Sequence, residues 1–340
     1  MGPASILGAV MAIVKSGDRF ALDMASWGFS PLSTGQKSLA VTSTIYFGDA
    51  LGNRDAFFGN FSYDQAGFVA GGTISHVQEN LLGFLHFDVS GFTMSATLFF
   101  SDMGGGLASM LAGADLVTGS PLDDRLLGYA GNDTIDGRGG YDFIYGGDGD
   151  DVIVGGTGAG AGEAYLRGEG GNDSIQGGLN FDDINGNTGN DTANGGLGSD
   201  WVVGGADNDL LSGDEGDDIV YGNLGADTCD GGVGADTIRG GQENDLLMGG
   251  AGNDWLSGDR GDDTISGGSG SDIFHTSAGA GLDRVTDFSI AEGDRVQLDP
   301  GTSYFLTQVG ADTVINMSGG QMVLVGVSLS SLPAGWLLGV

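Results

Sequence analysis

Cysteine is almost missing from this chain. One residue, Cys229, in 340 excludes an internal disulfide framework and any zinc site built from several thiolates. Only 5 prolines are present, which rules out collagen and a Pro-rich spacer. Basic residues are scarce as well: Lys and Arg total 11 against 46 Asp and Glu, a formal net charge of −35. That balance excludes nucleic acid as a ligand, because phosphate binding needs Lys and Arg. It equally disfavours an anionic membrane surface. No apolar run reaches the roughly 18 residues of a transmembrane helix. The apolar stretch Ile6–Val14 lacks a basic n-region before it and a small-x-small cleavage site. It reads as a first strand or short helix, not as a cleaved signal peptide. The motifs H-E-x-x-H and G-x-S-x-G are both absent, which removes the zinc peptidase and the serine lipase of that type.

Glycine is what the chain has in excess, 70 of 340 residues. Hydrophobic residues still make up 40%, too many for an acidic disordered chain. The glycine is concentrated in residues 118–275, between ordinary-looking segments 1–117 and 276–340. The middle segment repeats every nine residues. Aspartate falls at Asp124, Asp133, Asp142 and Asp151, then at Asp173, Asp182, Asp191, Asp200, Asp209, Asp218, Asp227, Asp236, Asp245, Asp254, Asp263 and Asp272. A Gly stands five residues before each of these sixteen, and Leu, Ile, Val, Phe, Ala or Cys stands two residues after. GGDGDDVIV (146–154) and GGAGNDWLS (249–257) show the unit well. Between Val154 and Gly168 the unit is longer, GGTGAGAGEAYLR, one nonapeptide with four extra residues and Leu166 in the apolar place.

The unit has a physical meaning. Glycine tolerates positive φ, so the first half of each unit turns tightly. The residues around the apolar position form a short strand, that side chain inward and its neighbours outward. Two units make one coil, and residues 18 apart stack in parallel. Aspartates then stand about 4.8 Å apart and repel by about 0.9 kcal/mol per pair even in water. Two such columns demand a counter-ion. Carboxylates together with the exposed carbonyls of Gly-rich turns are the hard oxygens that Ca²⁺ takes in sixes to eights.

The repeat resembles the RTX (repeats-in-toxin) hemolysin-type calcium-binding nonapeptide, G-G-x-G-x-D-x-U-x, over residues 119–275. The resemblance implies an all-β fold, a parallel β-roll of about seventeen half-coils, with Ca²⁺ between successive turns on both edges. It implies that the sixteen aspartates are ligands and that roughly ten or more ions bind. Asn180, Asp207 and Glu243 replace the usual fourth-position Gly, Pro121 and Leu122 blur the first unit, and Asp272 has no repeat after it. Segment 276–340 resembles the C-terminal flank of the same family, with DRVTDFSIAEGDRVQLD as strand-turn-strand. In that family the flank closes the roll and carries an uncleaved type I secretion signal. The expected location is therefore extracellular or at the cell surface, with the type I secretion machinery as a partner.

In residues 1–117, Leu39–Phe47, Ala56–Tyr63, Phe68–His76 and Leu82–Ser90 read as strands and Ser95–Leu111 as one or two short helices. This segment reads as a β-rich domain or cap, because an uncapped solenoid exposes its core. Cys229 reads as a small buried hydrophobe, and His76, His86 and His275 as satisfied or solvated. The expected function is non-catalytic: a structural, surface, adhesive or self-assembling protein. An enzyme would need a pocket of convergent polar groups within 1–117. A pore-forming toxin would need a long apolar domain, and an ice-binding roll a rank of Thr on one face. The phase of the repeat puts Thr134, Ser174, Thr192 and Thr228 on one outer face, mostly polar. It puts Phe143, Tyr145, Tyr165, Trp201, Tyr221 and Trp255 on the other. That aromatic stripe is the expected docking surface, for a flanking domain or a second copy.

Overall fold

The computed structural model describes residues 113–119, 123–156 and 161–339. It also describes the backbone of five N-terminal strands, Met11–Ile13, Val41–Gly48, Arg54–Tyr63, Val69–Leu81 and Phe84–Ser95.

The nonapeptide folds as one strand and one turn. In the strand Thr237–Gln242 the side chains of Ile238 and the Cα of Gly240 face inward, while Thr237, Arg239 and Gly241 face outward. The chain turns because the second and fourth positions of each unit take positive φ. Gly147 and Gly149, for example, lie at +116° and +131°. Where another residue stands there the path is unchanged: Tyr129 sits at +74°, and Asn180, Asp207 and Glu243 at +69°, +76° and +77°. These replacements bear a local strain of order 1 kcal/mol each, least for Asn and Asp.

Stacking then builds two parallel sheets. In the first, Thr192, Leu210, Thr228 and Leu246 align in successive strands. In the second, Trp201, Ile219, Thr237 and Trp255 align. The long unit is absorbed as one half-coil. Val152 aligns with Ser174 and Phe143 with Tyr165, a step of 22 in place of 18. Each sheet holds ten such strands among the described residues, from Leu116–Thr118 to Leu282–Val285 and from Arg125–Ala130 to Arg295–Leu298. The roll therefore has about ten turns, twenty half-coils and not the expected seventeen. The extra three lack the Gly-Asp spacing but keep an aspartate two places before a buried valine, Asp115 before Val117, Asp283 before Val285 and Asp294 before Val296.

Among the described residues, Leu337–Leu338 adds to the second sheet beside Arg295–Leu298, and the other strands extend the first sheet at both ends. Phe84–Ser95 runs antiparallel to Leu116–Thr118, and Val69–Leu81, Arg54–Tyr63 and Val41–Gly48 follow antiparallel in turn. These strands lie close to the four read from sequence. Beyond Ser95, the short helices expected up to Leu111 fall outside the described residues. At the other end Gly320–Leu324 pairs parallel with Leu282–Val285, and Asp312–Met317 and Tyr304–Val309 complete an antiparallel meander. The segment 283–299, expected as strand-turn-strand, makes two strands that join opposite sheets as one further coil.

The interior is a double file of single side chains. Ile135, Ile153, Ile175, Ala193, Leu211 and Cys229 belong to one file, and Ile144, Leu166, Ile184, Val202 and Val220 to the other, all at most 2% exposed. Cys229 is a core side chain between Leu211 and Leu247. Phe274, Phe288 and Trp336 continue the core past the last repeats, with ring centroids 5.9 and 6.3 Å apart. Leu246 and Leu247 give the direct test of this alternation, at 40% and 0% exposed. Leu247→Ala is expected to lower stability in saturating Ca²⁺ by about 2–5 kcal/mol through its cavity. Leu246→Ala should change it by no more than about 0.5 kcal/mol. Urea titrations of the two variants check this.

Candidate metal centre

The turn between strands brings each repeat aspartate to the edge of the roll with its carboxylate pointing back inside. All sixteen are buried, none more than 4% exposed. They form two columns. Asp133, Asp151, Asp173, Asp191, Asp209, Asp227, Asp245 and Asp263 line one edge. Asp124, Asp142, Asp182, Asp200, Asp218, Asp236, Asp254 and Asp272 line the other.

One oxygen of each repeat carboxylate from Asp133 to Asp272 is used by the fold. Oδ1 accepts the backbone N–H of the residue one coil earlier, as in Asp191 to Asp209 and Asp209 to Asp227, both 2.8 Å, and Asp218 to Asp236, 2.8 Å. Where Asn or Asp precedes the aspartate, it ties the loop the other way. Asn132 Oδ1 accepts from Asp150 N at 3.1 Å, Asp150 Oδ1 from Asn172 N at 2.8 Å, and Asn172 Oδ1 from Asn190 N at 2.8 Å. Sequence reasoning passed over this second ladder, although Asn or Asp at the fifth position of most units signals it.

The other oxygen has no such use. In fifteen of the sixteen, all but Asp124, Oδ2 is buried and meets no donor among the described residues. It lies before the first glycine of its own unit, beside a carbonyl of the next coil. A Cβ on Gly231 would stand 2.5 Å from Asp236 Oδ2 and 2.6 Å from Gly249 O. No side chain fits there, which is why a Gly stands five residues before every aspartate. A buried oxygen without a partner carries a large penalty. Two hard oxygens converging on a cradle that only glycine leaves open suit a hard cation, and Ca²⁺ takes such oxygens readily.

The electrostatics agree. Burial pushes the carboxyls above their ordinary 3.8, and the neighbouring aspartates add to it. Asp133, Asp142, Asp173, Asp209 and Asp236 rise to about 7, and Asp182 and Asp245 to about 8. Asp151, Asp191, Asp200 and Asp272 rise to about 6. The donated backbone N–H opposes the rise in each case without cancelling it.

Three further aspartates complete the columns. Asp115 precedes Asp133, which accepts its N–H at 2.8 Å. Asp283 lies opposite Asp263 by register, buried and raised to about 8 by burial and by that neighbour. Asp294 accepts from Asp272 N at 3.1 Å, and its Oδ2 accepts from Ser289 N at 2.7 Å. The second column therefore ends on a carboxylate that the protein satisfies completely. Asp115 lacks the Gly five residues earlier, and Asp283 and Asp294 are off the nine-residue period, so the repeat pattern missed them.

His275 also finds partners. Its Nδ1 lies 3.1 Å from Ser257 Oγ and its Nε2 3.2 Å from Asp299 Oδ1. Ser257 is 1% exposed and donates its hydroxyl proton to Asp259 at 2.8 Å. The arrangement ties strands together and leaves no exposed nucleophile.

Residues 111–282 match the RTX calcium-binding nonapeptide repeat in nine overlapping stretches. Among solved structures, a subunit of the Azotobacter vinelandii mannuronan C5-epimerase is 27% identical, over 38% of this chain and 81% of that one, with a TM-score of 0.22. The extracellular lipase LipA of Serratia marcescens is 17% identical, over 60% of this chain and 45% of that one, with a TM-score of 0.23. No curated protein matches the chain significantly.

The raised carboxyls set a pH dependence with a definite sign. In chelator, the folded roll holds protons that the unfolded chain, at about 3.8, releases. Stability of the cation-free roll is therefore greatest below about pH 4 and is lost as pH rises through 6 to 8. In Ca²⁺ the dependence reverses, because protons and the cation compete for the same oxygens. Circular dichroism from pH 4 to 8 in EDTA checks this. A β signal that grows with pH in EDTA contradicts it.

Proposed function

The chain belongs to the RTX calcium-binding nonapeptide-repeat family, and on that premise we propose that it is a secreted, non-catalytic protein whose roll folds on Ca²⁺. The observation that carries the reading is the unpartnered Oδ2 on rung after rung of the two columns. The ligands are the sixteen repeat aspartates together with loop carbonyls of the next coil, and about ten or more ions bind, given the six to eight oxygens each requires. Where free Ca²⁺ is low, charge repulsion along the columns keeps the chain open, a form suited to type I export. Outside the cell the ion binds the native state alone and draws the equilibrium toward it. The N-terminal strands and the 304–338 segment close the two ends of the roll. Among the described residues no helix is long and apolar enough to cross a membrane.

A structural or surface role, with self-association, is supported by the outer face of the second sheet. Phe143 and Trp201 stand there 38% and 43% exposed, and Phe143, Tyr145 and Tyr165 form a ring cluster with centroids 5.6 and 6.0 Å apart. Trp255 is less available. It stacks on His275 at 5.1 Å and donates to Gln297 at 3.1 Å. The opposite face is less polar than its residue types suggested, since Val152, Leu210 and Leu246 are exposed beside the threonines.

Two experiments test these readings. The purified chain in EDTA at pH 7.5 should show little β structure, and millimolar Ca²⁺ should induce it cooperatively; full β content in EDTA defeats the calcium reading. Sedimentation velocity in Ca²⁺ should show oligomers that Trp201→Ser shifts to monomer with the circular dichroism unchanged. A wild-type chain that stays monomeric at every concentration removes self-association.

A further inference from the structure

We infer that the series of cation positions along one edge of the roll is interrupted at a single coil, at Ala164, and that Arg167 holds the joint there with its own fixed charge. The inference rests on the calcium reading above. Along the second column the order is Asp124, Asp142, Ala164, Asp182 and onward. The backbone path is kept at the exceptional position: Ala164 N donates to Asp182 Oδ1 at 2.7 Å, and Leu166 aligns between Ile144 and Ile184. The cradle is altered. A Cβ on Gly155 would stand 2.7 Å from Gly177 O, as elsewhere, but its next neighbours are Ala164 Cβ at 3.0 Å and Leu166 Cδ1 at 3.3 Å. Apolar atoms stand where the other coils of this edge present a carboxylate. A divalent ion there would lose its charged ligand while keeping its desolvation penalty. The opposite edge of the same coil is complete, with Asp151 N on Asp173 Oδ1 at 2.8 Å.

Arg167 lies on the same strand, Ala161–Gly170, three residues after the substitution. Its side chain is only 12% exposed. Nη1 donates to Leu166 O at 2.7 Å and to Asp183 O at 2.8 Å, and Nη2 to Asp183 Oδ1 at 2.8 Å. The guanidinium lies 3.4 Å above the Tyr165 ring. These bonds tie strand Ala161–Gly170 to Asp182–Thr188, the two strands that an ion before Gly155 would otherwise help to hold. Arg239, which pairs with Asp259 where the column is complete, is 44% exposed and bonds only the carboxylate. The insertion that lengthens this unit thus coincides with the loss of a carboxylate and the gain of a largely buried arginine.

Equilibrium dialysis of the full chain against Ca²⁺ tests the interruption. Ala164→Asp should bind one ion more than wild type, and Asp236→Ala one fewer, which calibrates the count. If Ala164→Asp fails to fold, Ala164→Asn should add one ion more weakly held, since it supplies an oxygen without charge. Arg167→Leu should leave the ion count unchanged yet speed hydrogen exchange in 161–170 and 182–188 at saturating Ca²⁺. A folded Ala164→Asp with the wild-type count, beside an Asp236→Ala that has lost an ion, overturns the interruption. Unchanged exchange in Arg167→Leu overturns the role of the arginine. If wild type and Asp236→Ala bind no Ca²⁺ at all, it is the underlying calcium reading that falls.

Discussion

A file of buried carboxylates, each one coil from the next, is the constraint on which this structure depends. Each aspartate can spend one oxygen on the backbone N–H of the coil before it, as Asp227 does for Asp209. The geometry of a parallel stack supplies no second donor. The leftover oxygen is sealed between its own loop and the next, where only a glycine leaves room, as Gly231 does for Asp236. The excess of glycine, the lack of basic residues and the nine-residue period are three consequences of that one arrangement. A lysine or arginine inside the column would neutralise it, but the single-file interior has no space for so long a side chain.

The same constraint couples the fold to its surroundings. Burial first, and the charge of neighbouring carboxylates with it, raises Asp133 to about 7 and Asp182 and Asp245 to about 8, so the cation-free roll becomes harder to hold as more of them ionise. A divalent cation removes the penalty on many rungs together, because each carboxylate touches the loop of its own coil and lies beside a carbonyl of the next. Folding by such a chain is expected to be steep in ion concentration, in keeping with the nearest-neighbour energetics of repeat proteins. Where the column is defective, at Ala164, the chain substitutes a tethered cation on the outer face, Arg167, whose bonds to Asp183 need no ion.

Outside the columns the two sheets are free to differ, since the outward positions carry no structural demand beyond strand geometry. Arg125, Arg167 and Arg239 lie within 6.0 Å of tyrosine or tryptophan rings of the second sheet. Cation–π contacts of this kind are worth about 0.5–1 kcal/mol at exposed sites. They place three of the 11 basic residues on one face of a strongly acidic molecule, and that face is also the aromatic one.

The inward file was legible in the residues themselves. Ile144, Leu166, Val202 and Ile238 all stand two places after their aspartate or its replacement, and all are fully buried. The sixteen aspartates and their glycines were legible for the same reason: a repeated local geometry needs the same residue at the same place each time. What escaped the sequence are features fixed by neighbours in space. Asp283 and Asp294 lie off the nine-residue period and enter the columns because strands Leu282–Val285 and Arg295–Leu298 stack on the last repeats, with Val285 and Val296 continuing the buried file. Asp115 enters because Leu116–Thr118 pairs with Thr134–Asp136. Ser257 and His275 stand 18 apart, the spacing of the coil, but Asp299, which meets His275 from 24 residues further on, does not. Period and composition decided the coil, because they act within nine residues. Where the coil starts and ends, and which outer side chains meet, was decided by stacking, because those contacts form only between strands already in place.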